Sequence, residues 1–559
     1  MNAESDQSAG KPTDTKHVAI LCGLSVAALW LAQPPLGFWP AVTVALLPWL
    51  HLARDTKLWT RRTILTIWVF SALYFLVSLQ GLRHAHPLMI FPTLALAGYL
   101  AVYHVLFLVL LRRVLRRSES MLVLAPVLWV GMECIRNYLL TGISALMLAH
   151  TMTEVPITIQ IADLFGSYGV SFVLVALNVA VDAVIRCFRE SESRRARIPV
   201  IAIGVGLVVG TLGYGNYRLQ QPLAGPTSTF ALIQRSEPIE YVQSDSRAIE
   251  IFQAYLQQTQ QAVAASDSDI QAIVWPESMF TAGLPWMTLA ADARVPEDIN
   301  ATIQEFETVV NSRQRDFIDR VLYAQSAIRQ PSGDTMPDLL VGCGVVRYST
   351  QPEVYSGLMQ IDGAGDVADW YGKTHLVMFG EYIPIAPWIP WVRDLIPPGM
   401  GLTIGPGPKL MNVNDTNVLP LICIETAVER VAVKQLSKLS ESDQTADVIV
   451  TVTNDGWFDD SSVVEHHLRC GQLVAVATRC PVLSAANNGP TAWIDSNGRI
   501  VERLAVGDQG HLVASPNRDE RESYYVRLGA LPAWLCVMIS LLVPFMGRRK
   551  TDPNPQKSD

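Results

Sequence analysis

The 559-residue chain is 50% hydrophobic and only 17% charged, with a net charge of −8 and a mean hydropathy of +0.25. Soluble domains carry about 25% charged residues, and a net acidic chain repels nucleic acid. These figures exclude an ordinary soluble protein and a nucleic-acid binder, and they point to a chain partly built for lipid.

Residues 1–16 are polar and read as a disordered cytoplasmic N-terminus. They are too long and too weakly basic for a signal peptide, so the first apolar segment is expected to be retained. A helix crossing a bilayer core needs about 20 apolar residues. Between 17 and 214 such segments fall at 18–33, 37–53, 63–80, 88–111, 121–141, 163–185 and 198–214. The stretch "AQPPLGFWP" is a Pro/Gly turn with an interfacial Trp39, which favours two spans there over one. Residues 215–525 read as a globular domain, 526–546 as an eighth span and 547–559 as a cytoplasmic tail. Glu133 and Arg136 share one face of a span end at i and i+3; they either pair, the preferred reading, or line a headgroup site.

Orientation follows from the basic residues. Arg54, Lys57, Arg61 and Arg62 follow the second segment, Arg112, Arg113, Arg116 and Arg117 the fourth, and Arg186 to Arg197 the sixth; Arg548, Arg549 and Lys550 follow the eighth. The intervening short loops carry almost none, Arg83 excepted. The positive-inside rule then places both termini in the cytoplasm and 215–525 on the other side. That domain has an excess of about 17 Asp and Glu over Lys and Arg. Its cysteines, Cys343, Cys423, Cys470 and Cys480, form no dense disulfide framework, and their pairing stays open. No CxxC or HExxH pattern suggests a metal, "EHH" at 465–467 reads as helix surface, and no cofactor is expected.

Within 215–525, β-rich runs alternate with helical ones: "FALIQRS" at 230, "QAIVWPES" ending at Ser278, "DLLVGCGVV" at 338–346 and "ADVIVTVTND" at 446–455. "IDGAGDV" and "IDSNGRI" are hairpin signals. Together with the spans, the predicted fold is a polytopic α-helical membrane domain of about eight spans with an inserted α/β sandwich. Three runs end in reactive groups: Glu277 after "AIVWP", Lys373 in "WYGKTHLVMFGEYIP" and Cys423 after "PLI". Singly, each has a plain structural reading: a core cysteine, a turn acid, a surface lysine. As a set they suit nucleophilic catalysis. A thiol with a pKa near 8.5 needs help at neutral pH; Glu277 is suited to take its proton, and Lys373 to stabilise thiolate and oxyanion.

These stretches resemble the Glu-Lys-Cys signature of the nitrilase superfamily. With the membrane spans, the chain resembles the apolipoprotein N-acyltransferase family, on "YGKTHLVMFGEYIP", "TNDGWF" at 453–458, "ANNGPTAWIDSNGRI" at 486–500, "LGFWP" at 36–40 and "ECIRNYLLTG" at 133–142. The resemblance implies a nitrilase-like αββα sandwich with Cys423 as acyl-accepting nucleophile, Glu277 as base and Lys373 as oxyanion partner. Glu381 and Glu425 match two supporting acids that orient Lys373 or receive the amine. It further implies acyl transfer from a phospholipid, through a Cys thioester, to the N-terminal α-amine of a diacylglyceryl-cysteine lipoprotein, at the outer face of a bacterial inner membrane. The sequence departs from the family pattern at Ile424, Met378, Asp459 and "VVEHHL".

A thioester survives for an amine only if water is excluded. The stretches 381–408, with Trp388 and Trp391, and 278–288 are expected as lid or membrane-dipping loops; the alternative is packing on the domain's own core. Two rivals remain at this stage. A membrane-tethered amidase needs only one anchor and works without lipid. A non-enzymatic membrane protein with a degenerate domain tolerates loss of Cys423.

Overall fold

The computed structural model describes residues 15–55, 57–189, 194–239, 244–280, 284–296, 299–328, 330, 336–378, 380–382 and 401–545. Among them, six helices are long and apolar enough to cross a membrane: Thr15–Ala32, Arg61–Ser78, Pro87–Leu115, Ser120–Thr141, Ser167–Arg189 and Arg197–Gln220. Two shorter apolar helices lie at Pro156–Phe165 and Leu531–Phe545. The expected span at 37–53 is not a continuous helix. It is a 3-10 turn at Trp39–Thr43 followed by the short helix Leu47–Arg54, each with a proline in its first turn. Proline lacks an N–H, so it opens helices and breaks their interiors; a hydropathy window does not register that. The break leaves backbone groups that lipid cannot satisfy. Asn178 satisfies two of them, donating to Val42 O and accepting from Leu46 N, both at 2.9 Å. The expected eighth span is interrupted likewise, with Tyr524–Leu528 ending at Gly529 before Leu531–Leu542 begins.

Glu133 and Arg136 do not pair. Glu133 accepts from Leu148 N at 3.0 Å and Arg136 donates to Ala145 O at 3.1 Å, so both hold the backbone of the loop that follows their helix. That loop needs holding, because Leu140, Thr141 and Leu146 all have positive φ. Such strain persists only where the surroundings over-determine it.

The domain after the membrane helices is a four-layer sandwich. One sheet runs in the order β13 (Gly510–Ala514), β1 (Phe230–Gln234), β2 (Ala272–Trp275), β4 (Asp338–Tyr348), β5 (Pro352–Ile361), β6 (Val367–Gly372), with β3 (Trp286–Leu289) also paired to β4. The second runs β12 (Ile500–Arg503), β11 (Ala492–Ile494), β10 (Val482–Asn487), β9 (Val448–Asn454), β8 (Thr416–Ile422), β7 (Met411–Val413). Pairs β1–β2, β2–β4, β8–β9 and β9–β10 are parallel.

Strand periodicity of two sorts the side chains between layers. In β1, Phe230 and Leu232 enter the core between the sheets, whereas Ala231 and Ile233 face the outer helices Asp245–Ala265 and Ile303–Ala327. Burial on both faces is why these strands read as unbroken apolar runs. The two hairpin signals form tight turns, with Ile361 opposite Val367 and Ile494 opposite Ile500.

The second sheet is covered by helices Glu429–Ser440 and Ser462–Thr478, whose far side packs on the membrane bundle: Val433, Leu473, Val476 and Ala477 share one core with its helices. An ion cluster reinforces the contact. Asp163 is fully buried and bonded by Arg479 at 2.6 and 2.9 Å and by Arg218 at 2.6 Å. Arg430 adds bonds to Asn137 O at 2.8 Å and Thr141 O at 2.5 Å.

Candidate active site

The first acid arrives directly after β2. Pro276 ends the strand and Glu277 turns across β4, where Gly342 makes the approach possible. A Cβ at 342 would stand 2.5 Å from Glu277 Cα and 2.4 Å from Pro276 O. Glu277 Oε1 accepts from Ser356 Oγ at 3.1 Å and lies 3.4 Å from Lys373 Nζ.

Lys373 follows β6, and its ends are pinned: its N–H donates to Ser356 O at 2.9 Å and its carbonyl accepts from Gly405 N at 2.8 Å. Its side chain is 1% exposed, and Nζ sits 2.5 Å from Glu381 Oε1. Glu381 is itself fixed by Val377 N at 2.7 Å. Burial alone would lower the Lys373 pKa, but Glu277, the Cys423 thiol and Glu381 together hold it well above the usual range. A buried ammonium between two carboxylates therefore stays charged.

Cys423 follows β8 at a sharp turn with φ 50° and ψ −113°. Its N–H continues the ladder to Val452 O at 2.9 Å. The residue is partly buried against the core between the sheets. Burial and the Glu277 carboxylate push the thiol above its usual range, against the pull of Lys373. A thiol raised in this way needs a base beside it to act as a nucleophile.

Glu425 is 0% exposed and makes only internal bonds. One oxygen accepts from Tyr371 Oη, Thr374 N, Thr374 Oγ1 and His375 N at 2.6–3.1 Å, and the other from Ile422 N at 2.8 Å. Burial raises its pKa against these donors. It ties the segment after Lys373 to the residue before Cys423, and it has no open face for an amine. Beside it, burial and then Arg430 and Lys373 push His375 down to about 4.

Glu277, Lys373, Cys423, Glu381 and Glu425 are therefore brought together. Trp388 and Trp391 lie outside the described residues. The described part of 278–288 is not lid-like: Phe280 is fully buried between Trp275 and Phe317, and Trp286 packs on Phe317. The "EHH" reading is corrected too. Ser462–Thr478 is sandwiched between the second sheet and the membrane bundle, so His466 is buried and His467 nearly so, bonding Asp455 and the carbonyl of Cys423. Ser356 was not singled out by sequence, since a mid-strand serine carries no signal. Asp459 has φ 49°, a conformation that favours glycine, and lies 3.1 Å from His84 on the loop between two membrane helices.

Comparison with known proteins places two families along the chain. The apolipoprotein N-acyltransferase N-terminal domain matches residues 25–180, and the carbon-nitrogen hydrolase family matches residues 241–524. A Rhodopirellula baltica protein described as an apolipoprotein N-acyltransferase is 45% identical over 534 residues, covering 91% of this chain and 93% of its own. One from Geobacter metallireducens with the same description is 30% identical over 465 residues, covering 81% and 80%. Among solved structures, an amidase from Nesterenkonia sp. is 16% identical over 54% of this chain and 96% of its own, with a TM-score of 0.33.

Proposed function

The chain belongs to the apolipoprotein N-acyltransferase family, and on that premise we propose that Cys423 carries the acyl group as a thioester between a phospholipid donor and a lipoprotein amine. The single observation that carries this reading is the convergence of Glu277, Lys373 and Cys423 at three strand ends, in a domain whose helices pack on membrane helices.

In the first half-reaction Glu277 takes the Cys423 proton as the sulfur attacks the ester carbonyl. The oxyanion forms beside the Lys373 ammonium. The tetrahedral adduct collapses to the thioester, and the lysophospholipid oxygen leaves with the proton from Glu277. In the second, the N-terminal α-amine of a diacylglyceryl-cysteine attacks the thioester, Glu277 accepts its proton, and the thiolate departs to be reprotonated. Glu381 holds Lys373 in place throughout.

Acyl tails explain the membrane setting. Drawing a chain into water costs about 0.8 kcal/mol per CH₂, so donor and acceptor must be met at the bilayer surface. The distribution of arginines supports a catalytic domain on the outer side of a bacterial inner membrane, with both termini inside. Arg54 paired with Asp182, Arg112 on Asp55 O and Arg113 on Val543 O cluster at one end of the bundle, while the loop at Gln80–Ala85 and residues 137–163 meet the catalytic domain at the other.

Two-substrate kinetics test the scheme. Varying phospholipid at several acceptor concentrations is expected to give parallel double-reciprocal lines. Intersecting lines would mean that both substrates bind before any chemistry, and the thioester scheme would be abandoned.

A further inference from the structure

His467 of the helix Ser462–Thr478 stands behind Cys423. Its Nε2 is 3.0 Å from the Cys423 carbonyl oxygen, and its Nδ1 is 3.1 Å from Asp455 Oδ1. A carbonyl and a carboxylate only accept hydrogen bonds. Both contacts are hydrogen bonds only if each ring nitrogen carries a proton, which makes the ring an imidazolium. Asp455 is placed for this: buried, accepting from Thr453 Oγ1 at 2.9 Å, and occupying space that Gly489 leaves open. A Cβ at 489 would stand 2.4 Å from Asp455 Oδ2. The other titratable group facing His467 is Glu277; the Cys423 thiol lies among Glu277, Lys373, Asp455 and Glu381, and after burial and Glu277 the Asp455 carboxylate also raises its pKa.

Cys423 needs such support. Its φ of 50° with ψ −113° is unfavourable for a residue with a Cβ. Its N–H is fixed by Val452, and among the described residues its carbonyl receives Thr426 N, at 3.1 Å, and His467. We propose that His467, kept as an imidazolium by Asp455, is a positioning residue for Cys423: it clamps the nucleophile's own carbonyl with a charged donor. The clamp holds the strained turn open for attack, and a charge-assisted bond holds it more firmly than a neutral donor would. Burial alone would discharge the ring, but Asp455 and the Cys423 carbonyl hold its pKa above the usual value. The proposal rests on reading Cys423 as the nucleophile.

The test uses the full-length enzyme in lipid nanodiscs, with iodoacetamide alkylation of Cys423 followed by peptide mass spectrometry from pH 5.5 to 9, beside acyl-transfer kinetics. Asp455→Asn keeps the shape and removes the counter-charge. It is expected to slow Cys423 alkylation and kcat at pH 7.5 at least tenfold with both KM values within twofold, the deficit narrowing toward pH 5.5 as the ring regains its proton. His467→Gln retains a neutral donor for the carbonyl, and its deficit is expected to stay level below neutral pH. A deficit in Asp455→Asn that is constant across pH would overturn the proposal, as would alkylation within twofold of wild type in both variants. Undiminished transfer by Cys423→Ala would instead remove the nucleophile reading, and this proposal with it.

Discussion

Replacing Glu425 by glutamine separates two roles that sequence alone left open for this acid. The carboxylate accepts five hydrogen bonds from donors on both its oxygens. An amide has one accepting oxygen, so whichever way it turns, its NH₂ meets donors: Ile422 N–H on one side, or Thr374 and His375 N–H on the other. Stranding a buried donor costs about 1–3 kcal/mol. Losing the ionic character of the remaining bonds adds roughly 1–2 kcal/mol, partly offset because a buried charge no longer has to be desolvated. A net loss of about 2–4 kcal/mol follows, on the order of 5–10 °C in apparent Tm for a domain of this size. Because the same bonds fix Cys423 against Lys373, sub-ångström drift of the thiol is expected to lower kcat by roughly 10- to 100-fold. The KM for lipoprotein is expected to stay within twofold. Thermal unfolding in detergent with steady-state kinetics reads all three. A Glu425→Gln enzyme with wild-type Tm and a raised acceptor KM would refute the reasoning and make Glu425 an amine receptor.

The buried cluster at the domain junction is expected to be sensitive to one change: Asp163→Ala leaves Arg479 and Arg218 without their shared carboxylate, and removing one partner of a buried pair costs about 3–5 kcal/mol. Lower apparent Tm and faster proteolysis would check it. Lys373→Met removes the cation between Glu277 and Glu381, and kcat is expected to fall at least about 10²- to 10³-fold, measured by acyl transfer at saturating substrates. His466 is 3% exposed and its ring nitrogens find no partner among the described residues; burial, with Arg469 adding, lowers its pKa to about 3. Since the unfolded chain binds this proton first, folding stability is expected to fall as pH drops from about 6.5 toward 3, by about 1.4 kcal/mol per unit from this group. Urea unfolding of His466→Leu should show a correspondingly shallower acid dependence.

Much of this site was legible because strand ends announce themselves. The runs before Glu277 and Cys423 are buried on both faces, and a reactive residue after such a run stands out; the edge strand before Lys373 is half-exposed and carries Asp369, so Lys373 is legible through its motif instead. What escaped was anything depending on which surface covers which. The helix Ser462–Thr478 is buried on nearly every face, so the polar "EHH" gave no sign that His467 touches the Cys423 carbonyl. Ser356 reaches Glu277 from mid-strand, a position set by the β4–β5 register and not by any motif. The segment at 37–53 has the hydropathy of a span, and only the placement of Pro40 and Pro48 shows where it breaks. Glu425 reads from its motif as a supporting acid, but the bonds by which it braces the site come from five donors in two stretches of the chain, 371–375 and Ile422.

The central claim is that Cys423 holds the acyl chain between donor and acceptor. It is tested most directly by giving membranes containing the enzyme a phosphatidylethanolamine radiolabelled in its acyl chain, without lipoprotein, and measuring protein-bound label before and after neutral hydroxylamine. The account predicts close to one labile acyl group per wild-type molecule, none on Cys423→Ala, and transfer of the label when acceptor is added. Absence of label from a folded wild-type protein that still acylates lipoprotein would contradict it.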